Sequence, residues 1–131
     1  MRKTTTVLLA SATVATAIAS SAFAEGELNL YSSRHYDTDE RLYSDFTEMT
    51  GITINRIEAN ADELIARMEA EGVNSPADIL LTVDTSRLER AKAAGVLQSI
   101  ESDVLEARIP ENLQDADNEW FAFSQRARII F

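Results

Sequence analysis

Leu28-Asn29-Leu30-Tyr31-Ser32-Ser33-Arg34-His35-Tyr36-Asp37-Thr38-Asp39 runs from an apolar opening into a polar helix start, and the chain's only histidine stands beside a tyrosine at the corner between them. Leu28 to Tyr31 reads as a short β-strand. Asp37 reads as the cap of the helix that follows, with Glu40 three residues on as its capping-box partner. Leu42, Phe46 and Met49 then recur at the i, i+4, i+7 spacing of one buried helix face until Gly51 closes the helix.

The same alternation returns twice. Ile52 to Ile57 alternates apolar and polar residues as a half-buried strand does, Asn60 caps a helix with Glu63 at the matching position, and Gly72 ends it. Leu64, Ile65 and Met68 form the buried stripe of that helix. Asp78 to Val83 is a nearly continuous apolar run, the pattern of a strand covered on both faces. Asp84 caps a third helix that carries Leu88 and Ala91 inward and stops at Gly95. Three strand and helix alternations with short connections predict an α/β fold, a parallel sheet flanked by helices. In such a sheet a ligand crevice lies beyond the carboxyl ends of the strands, near the topological switch point. Ser32 to Tyr36, Ala59-Asn60 and Val83 to Ser86 are the segments the strands deliver there.

After Val96-Leu97 the periodicity weakens. Ile109-Pro110-Glu111-Asn112-Leu113 reads as a short helical turn, and Trp120 to Phe131 as one or two strands. Arg126 and Arg128 alternate with Ala127 and Ile129 up to the last residue, so the domain is expected to be incomplete.

Met1-Arg2-Lys3, an apolar and small-residue stretch from Val7 to about Ala19, and Ser20-Ser21-Ala22-Phe23-Ala24 make up the parts of a secretory signal peptide with an Ala-x-Ala cleavage site. Its apolar core is shorter than the roughly 20 residues of a membrane span. Residues 1–24 are therefore expected to be a signal peptide cleaved after Ala24, and residues 25–131 the exported domain. Its removal takes away Arg2 and Lys3 and no acid, which moves the net charge from −10 to −12. A field of that sign repels phosphate backbones and anionic headgroups, which argues against nucleic-acid and membrane-surface roles. With no cysteine, thiol catalysis, thiolate metal sites and disulfides are excluded. About 107 exported residues build one modest domain, stabilised by its core alone.

His35 and Tyr36 are neighbours and would face opposite ways on a strand, so only an irregular loop or a helix start brings both to one site. Ferric iron is a hard acid that favours anionic oxygen. It binds a tyrosine as phenolate and accepts neutral imidazole as a further ligand. Taken alone, such a pair is more often surface or packing. Tyr31 belongs to the apolar pattern of the first strand and Tyr43 sits beside the helix stripe, so both read as packing, as do Trp120, Phe121 and Phe123. Asp62-Glu63, Glu69, Glu71, Glu101 and Asp103 fall on helix caps or polar faces, where solvation and dipole effects explain them. No phosphate loop, nucleophile elbow or His-Glu-x-x-His helix is present.

Five separated features occur in one order: the opening strand with its Tyr31-Ser32-Ser33-Arg34-His35-Tyr36 turn, Asp37, the Ser75-Pro76-Ala77-Asp78 entry to the third strand, Trp120-Phe121, and Arg126-Ala127-Arg128. In these the chain resembles the periplasmic ferric-iron-binding proteins of bacterial ABC importers, from about Glu27 to Phe131. The resemblance implies the first lobe of a bilobal periplasmic-binding-protein fold of type II character, without its second lobe. It also implies a monomeric, non-enzymatic binding component that captures Fe(III) in the periplasm and delivers it to an inner-membrane ABC permease. Tyr36 corresponds to a first-lobe phenolate ligand and His35 to a direct or cleft-lining neighbour. Arg126 corresponds to an arginine that faces the cleft and holds a synergistic anion such as carbonate, or balances phenolate charge. Some relatives use a glutamate at the end of the third strand; here that position is Val83, which groups this chain with the tyrosine-rich members. The missing second-lobe tyrosines leave the site open, so weak iron retention is expected.

Three other readings compete. A binding protein for an oxyanion or carboxylate solute would use helix amino termini and Arg126. A small α/β enzyme or phosphoacceptor domain would use Asp78 or Asp84 at a strand end. A degenerate product that cannot fold stably would keep the family likeness and lose its function.

Overall fold

A computed structural model describes residues 26–125 of the chain. The signal-peptide reading, Arg126, Arg128 and the strand expected to end at Phe131 lie outside these described residues. Three parallel strands, β1 (Gly26–Ser32), β2 (Ile52–Glu58) and β3 (Ile79–Leu81), form one sheet in the order β2-β1-β3. Among the described residues four helices flank or follow it: α1 (Asp37–Thr50), α2 (Ala61–Glu71), α3 (Thr85–Ala93) and α4 (Asp103–Arg108). The expected α/β class and parallel sheet are observed. Because β2 and β3 lie on opposite sides of β1, the switch point falls at the carboxyl end of β1.

The core is built where β1 meets α2. Leu30, Tyr31 and Ser32 are consecutive and all buried, so both faces of the end of β1 are covered. Tyr31 packs with Leu64 and Met68 of α2, and Ile57, Ala77, Leu80 and Val96 close round that cluster. Its hydroxyl, carried into this interior, donates to Glu71 at 3.0 Å. Glu71 also accepts from Arg67 at 2.7 Å and Ser75 at 2.8 Å, which together hold its carboxyl below the usual range. Burial pushes the Tyr31 phenol up, and the bond to Glu71 adds to that.

The caps of α2 and α3 follow the expected local chemistry. The Asn60 side chain accepts from the Glu63 N–H at 3.0 Å, and Asp84 accepts from the Arg87 N–H at 3.1 Å. At α1 the expectation fails. Tyr36 is the N-cap residue and makes no side-chain capping bond, while Asp37 is already helical. The carboxylates of that first turn are used at longer range: Asp39 takes Arg34, and Glu40 takes Arg56 from β2. No residue of α1 is fully buried, so the expected burial of Leu42, Phe46 and Met49 is also corrected. The helix lies along β2, an edge strand among those described, and nothing described closes over its apolar side.

β3 is shorter than the apolar run suggested and Ile79 is exposed, so the strand is not covered on both faces. Phe123 is exposed instead of core, and Trp120 is half-buried with its indole N–H donating to Glu89 at 2.9 Å. Of the Trp120 to Phe131 stretch expected to form one or two strands, the described part, up to residue 125, shows an isolated antiparallel bridge between Gln114 and Phe121. The 3₁₀ turn at Glu111–Leu113 matches the expected helical turn, whereas α4 was not foreseen. α4 buries no residue, and its start depends on Ser102 accepting from the Leu105 N–H. Among the described residues no helix is long and apolar enough to cross a membrane.

Candidate functional site

The carboxyl end of β1 turns into α1 through four residues without regular structure, Ser33 to Tyr36. Its backbone is held from both sides. Ser33 N–H donates to the Leu81 carbonyl at 2.9 Å, tying the loop to β3, and Ala59 N–H donates to the Ser32 carbonyl at 3.3 Å, tying it to the end of β2. The irregular geometry does what a strand would forbid. The rings of His35 and Tyr36 stack with centroids 5.8 Å apart and planes 25° from parallel. The two residues expected to share a site are therefore side by side, both reaching solvent, with Tyr36 39% exposed.

His35 also lines a crevice of about 370 Å³ with Ser33, Glu58, Asn60, Val83 and Arg87. These come from the ends of the strands and the start of α2 and α3, the segments expected to converge. Val83 lines the crevice wall, so the end of β3 contributes no carboxylate there. Among the described residues no three His, Asp or Glu side chains gather closely enough to hold a metal ion. His35 and Tyr36 present an imidazole and a phenol side by side in the loop, and of the two only His35 lines the crevice.

Arg34 was not singled out from the sequence. Its guanidinium donates to Asp39 through Nε at 2.8 Å and Nη2 at 3.0 Å, with both side chains largely buried at 16% and 13% exposure. The same group lies 5.0 Å from the Tyr36 ring centroid and 5.8 Å from that of Phe123. The bond to Asp39 raises the arginine further above its ordinary pKa, and Asp39 is held below the usual carboxylate range by the same contact. The visible signal was an arginine and an aspartate flanking the His-Tyr pair.

The remaining candidates are accounted for structurally. Tyr43 is half-buried under the Arg56 guanidinium at 4.9 Å, which agrees with a packing role. Asp78 sits at the amino end of β3, away from the crevice, where its carboxylate accepts from the Asn29 N–H at 2.8 Å. Asp84 is engaged as the α3 cap by Ser86, Arg87 and the backbone, and Ser86 leads the contacts that lower its pKa. Neither acid is placed for phosphoacceptor chemistry.

Against this geometry the likeness to known proteins is specific. Iron uptake protein A1 of Synechocystis sp. is 56% identical over 104 residues, which is 79% of this chain and 29% of that protein. The chain is homologous to part of the ferric-binding and iron-uptake proteins. A Trichodesmium structure described as IdiA or FutA in complex with iron and citrate ligands superposes with a TM-score of 0.73 at 55% identity, over 76% of this chain and 31% of that one. The ferric binding protein from Campylobacter jejuni gives 0.71 at 50% identity, over 72% and 30%. No protein-family model matches the chain. The chain spans under a third of the length of each of these three proteins. Their names describe uptake and binding, not catalysis, and the α/β lobe seen here is a part of their larger fold.

Proposed function

We propose that this chain supplies the first-lobe half of a ferric-ion site in a periplasmic solute-binding protein, which captures Fe(III) and delivers it to an ABC permease of the inner membrane. The observation that carries the reading is the stacked His35-Tyr36 pair at the switch-point end of β1, in a chain whose relatives are named for iron uptake and ferric binding. Tyr36 supplies phenolate oxygen, which suits a hard trivalent ion, and His35 supplies neutral nitrogen or lines the cleft. The planar fork of Arg126 is assigned an accompanying anion, carbonate or a carboxylate such as citrate, as the family resemblance implies. Further oxygen donors come from outside this lobe and close over the metal when two lobes come together. Residues 1–24 are the export signal, cleaved after Ala24, and the product acts as a monomer with no nucleic-acid partner.

A visible-region titration with excess ferric nitrilotriacetate tests the assignment. The wild-type chain is expected to develop phenolate-to-iron absorption that fades on dialysis, and Tyr36→Phe to lack it. Identical spectra for the two proteins would sink the role of Tyr36. An absorption-silent complex with an oxyanion would instead favour a solute-binding reading without metal.

A further inference from the structure

We propose that Arg34 is a positioning residue for this site, a proposal that rests on the ferric reading above: clamped by Asp39, its guanidinium fixes the plane of the Tyr36 ring and joins it to the segment carrying Phe123. Arg34 precedes the His-Tyr pair and Asp39 follows it, so their two-point contact closes a bracket across both candidate ligands. The arginine is secured at its backbone too. Ser32 Oγ, on a residue only 1% exposed, accepts from the Arg34 N–H at 3.1 Å and lies 3.1 Å from the Arg34 carbonyl, to which it donates. A guanidinium held at both ends presents a fixed flat face, and aromatic rings within about 6 Å are attracted to such a face. Tyr36 and Phe123 both lie inside that range.

The chemistry distinguishes a fork from a charge. Two parallel bonds to one carboxylate define an orientation, which a lysine ammonium, a point donor on a flexible stem, does not reproduce. Groups that orient a metal ligand without touching the metal typically change affinity by roughly 10–100-fold when removed. Arg34 stands in that relation to Tyr36. It also keeps Asp39 engaged, so the nearby carboxylate is not left free to draw the metal away from the phenol.

The test compares the full chain with Arg34→Met, Arg34→Lys, Asp39→Asn and Tyr36→Phe, each labelled with ¹³C-tyrosine. Three tyrosines are present, and the signal missing from Tyr36→Phe identifies Tyr36 without any metal. The expected result is that Arg34→Met and Arg34→Lys both shift and average the Tyr36 ring signals, while Tyr31 and the far-UV spectrum stay unchanged. Ferric nitrilotriacetate titration should then show affinity lower by about tenfold or more in both variants, with the absorption band displaced. Unchanged Tyr36 signals in Arg34→Met, or wild-type behaviour in Arg34→Lys, would overturn the proposal. Should Arg34→Met fail to fold, Arg34→Lys and Asp39→Asn carry the same comparison. If the wild type and Tyr36→Phe respond alike to iron, the ferric reading falls, and the metal-free ring signals still decide whether Arg34 holds Tyr36.

Discussion

α1 and α2 each carry an apolar stripe at helical spacing and end alike on glycines of positive φ, yet α2 buries its stripe and α1 buries nothing. Leu64, Ile65 and Met68 are 1%, 7% and 7% exposed, whereas Leu42 and Met49 are 55% and 78% exposed. The difference lies in what each helix faces. α2 lies against the central strand β1, where Tyr31 offers a large flat apolar surface. α1 lies along β2, the edge of the described sheet. Periodicity records that a helix is amphipathic; the surface that will cover it is a tertiary property.

The largest test of that contrast is Leu64→Ala. The side chain is enclosed by Tyr31 and Met68, so truncation removes its burial and leaves a cavity. A loss of about 2–5 kcal/mol is expected in urea or thermal unfolding of the chain. A cost below about 1 kcal/mol would mean that α2 is no better anchored than α1.

α3 offers a third case, since only Ala91 is buried and charge replaces the stripe. Lys92 donates to both Asp115 oxygens at 2.8 Å, and Asp115 accepts further bonds from the N–H groups of Asp117 and Glu119 at 3.2 Å. Burial pushes the Asp115 carboxyl up, but Lys92 and those two N–H groups outweigh it and hold it below the ordinary value. A depressed folded pKa stabilises the chain above the unfolded value near 3.9, and that contribution disappears as the pH falls through the folded value. Acid should therefore loosen the 111–122 segment from α3. Lys92→Met is expected to flatten the acid limb of a stability profile followed by Trp120 fluorescence. An unchanged limb would show that the pair does not anchor this segment.

Asn60→Ala is a smaller test of the α2 side. The Asn60 side chain satisfies one exposed N–H at the start of the helix, so about 1 kcal/mol is expected to be lost in urea unfolding. A larger loss would implicate the crevice wall that Asn60 also lines.

Legibility from sequence followed the reach of each interaction. The caps at Asn60 and Asp84 bond three residues ahead, so residue type and spacing suffice to find them. The adjacency of His35 and Tyr36 is covalent, and only the need for an irregular turn had to be inferred. The Asp37 cap failed because partners for the first turn came from outside it, Arg34 for Asp39 and Arg56 for Glu40. Asp78 is similar: its carboxylate serves Asn29, which is 49 residues away. The two-sided burial expected of β3 failed because apolar composition does not say how many faces are covered. At the site, the residue types were visible and the bracket round them was not. Arg34 belongs to the motif that carries the resemblance, but its sequence position assigns it no role, and only the structure brings Asp39, Tyr36 and Phe123 round its guanidinium.

The smallest expected effect gives the sharpest contrast. Met49→Gln alters an apolar residue that is already largely in water, so it forfeits little burial, and Gln and Met have nearly equal helix propensity. Urea unfolding of the chain should change by no more than about 0.5 kcal/mol. The same substitution at Met68, which has the equivalent role on α2, would bury an amide beside Tyr31 without a partner and should cost several-fold more. A large effect at Met49 would mean that its face of α1 is covered in solution. The contrast between the helices would then reduce to a difference in which part of the polypeptide does the covering.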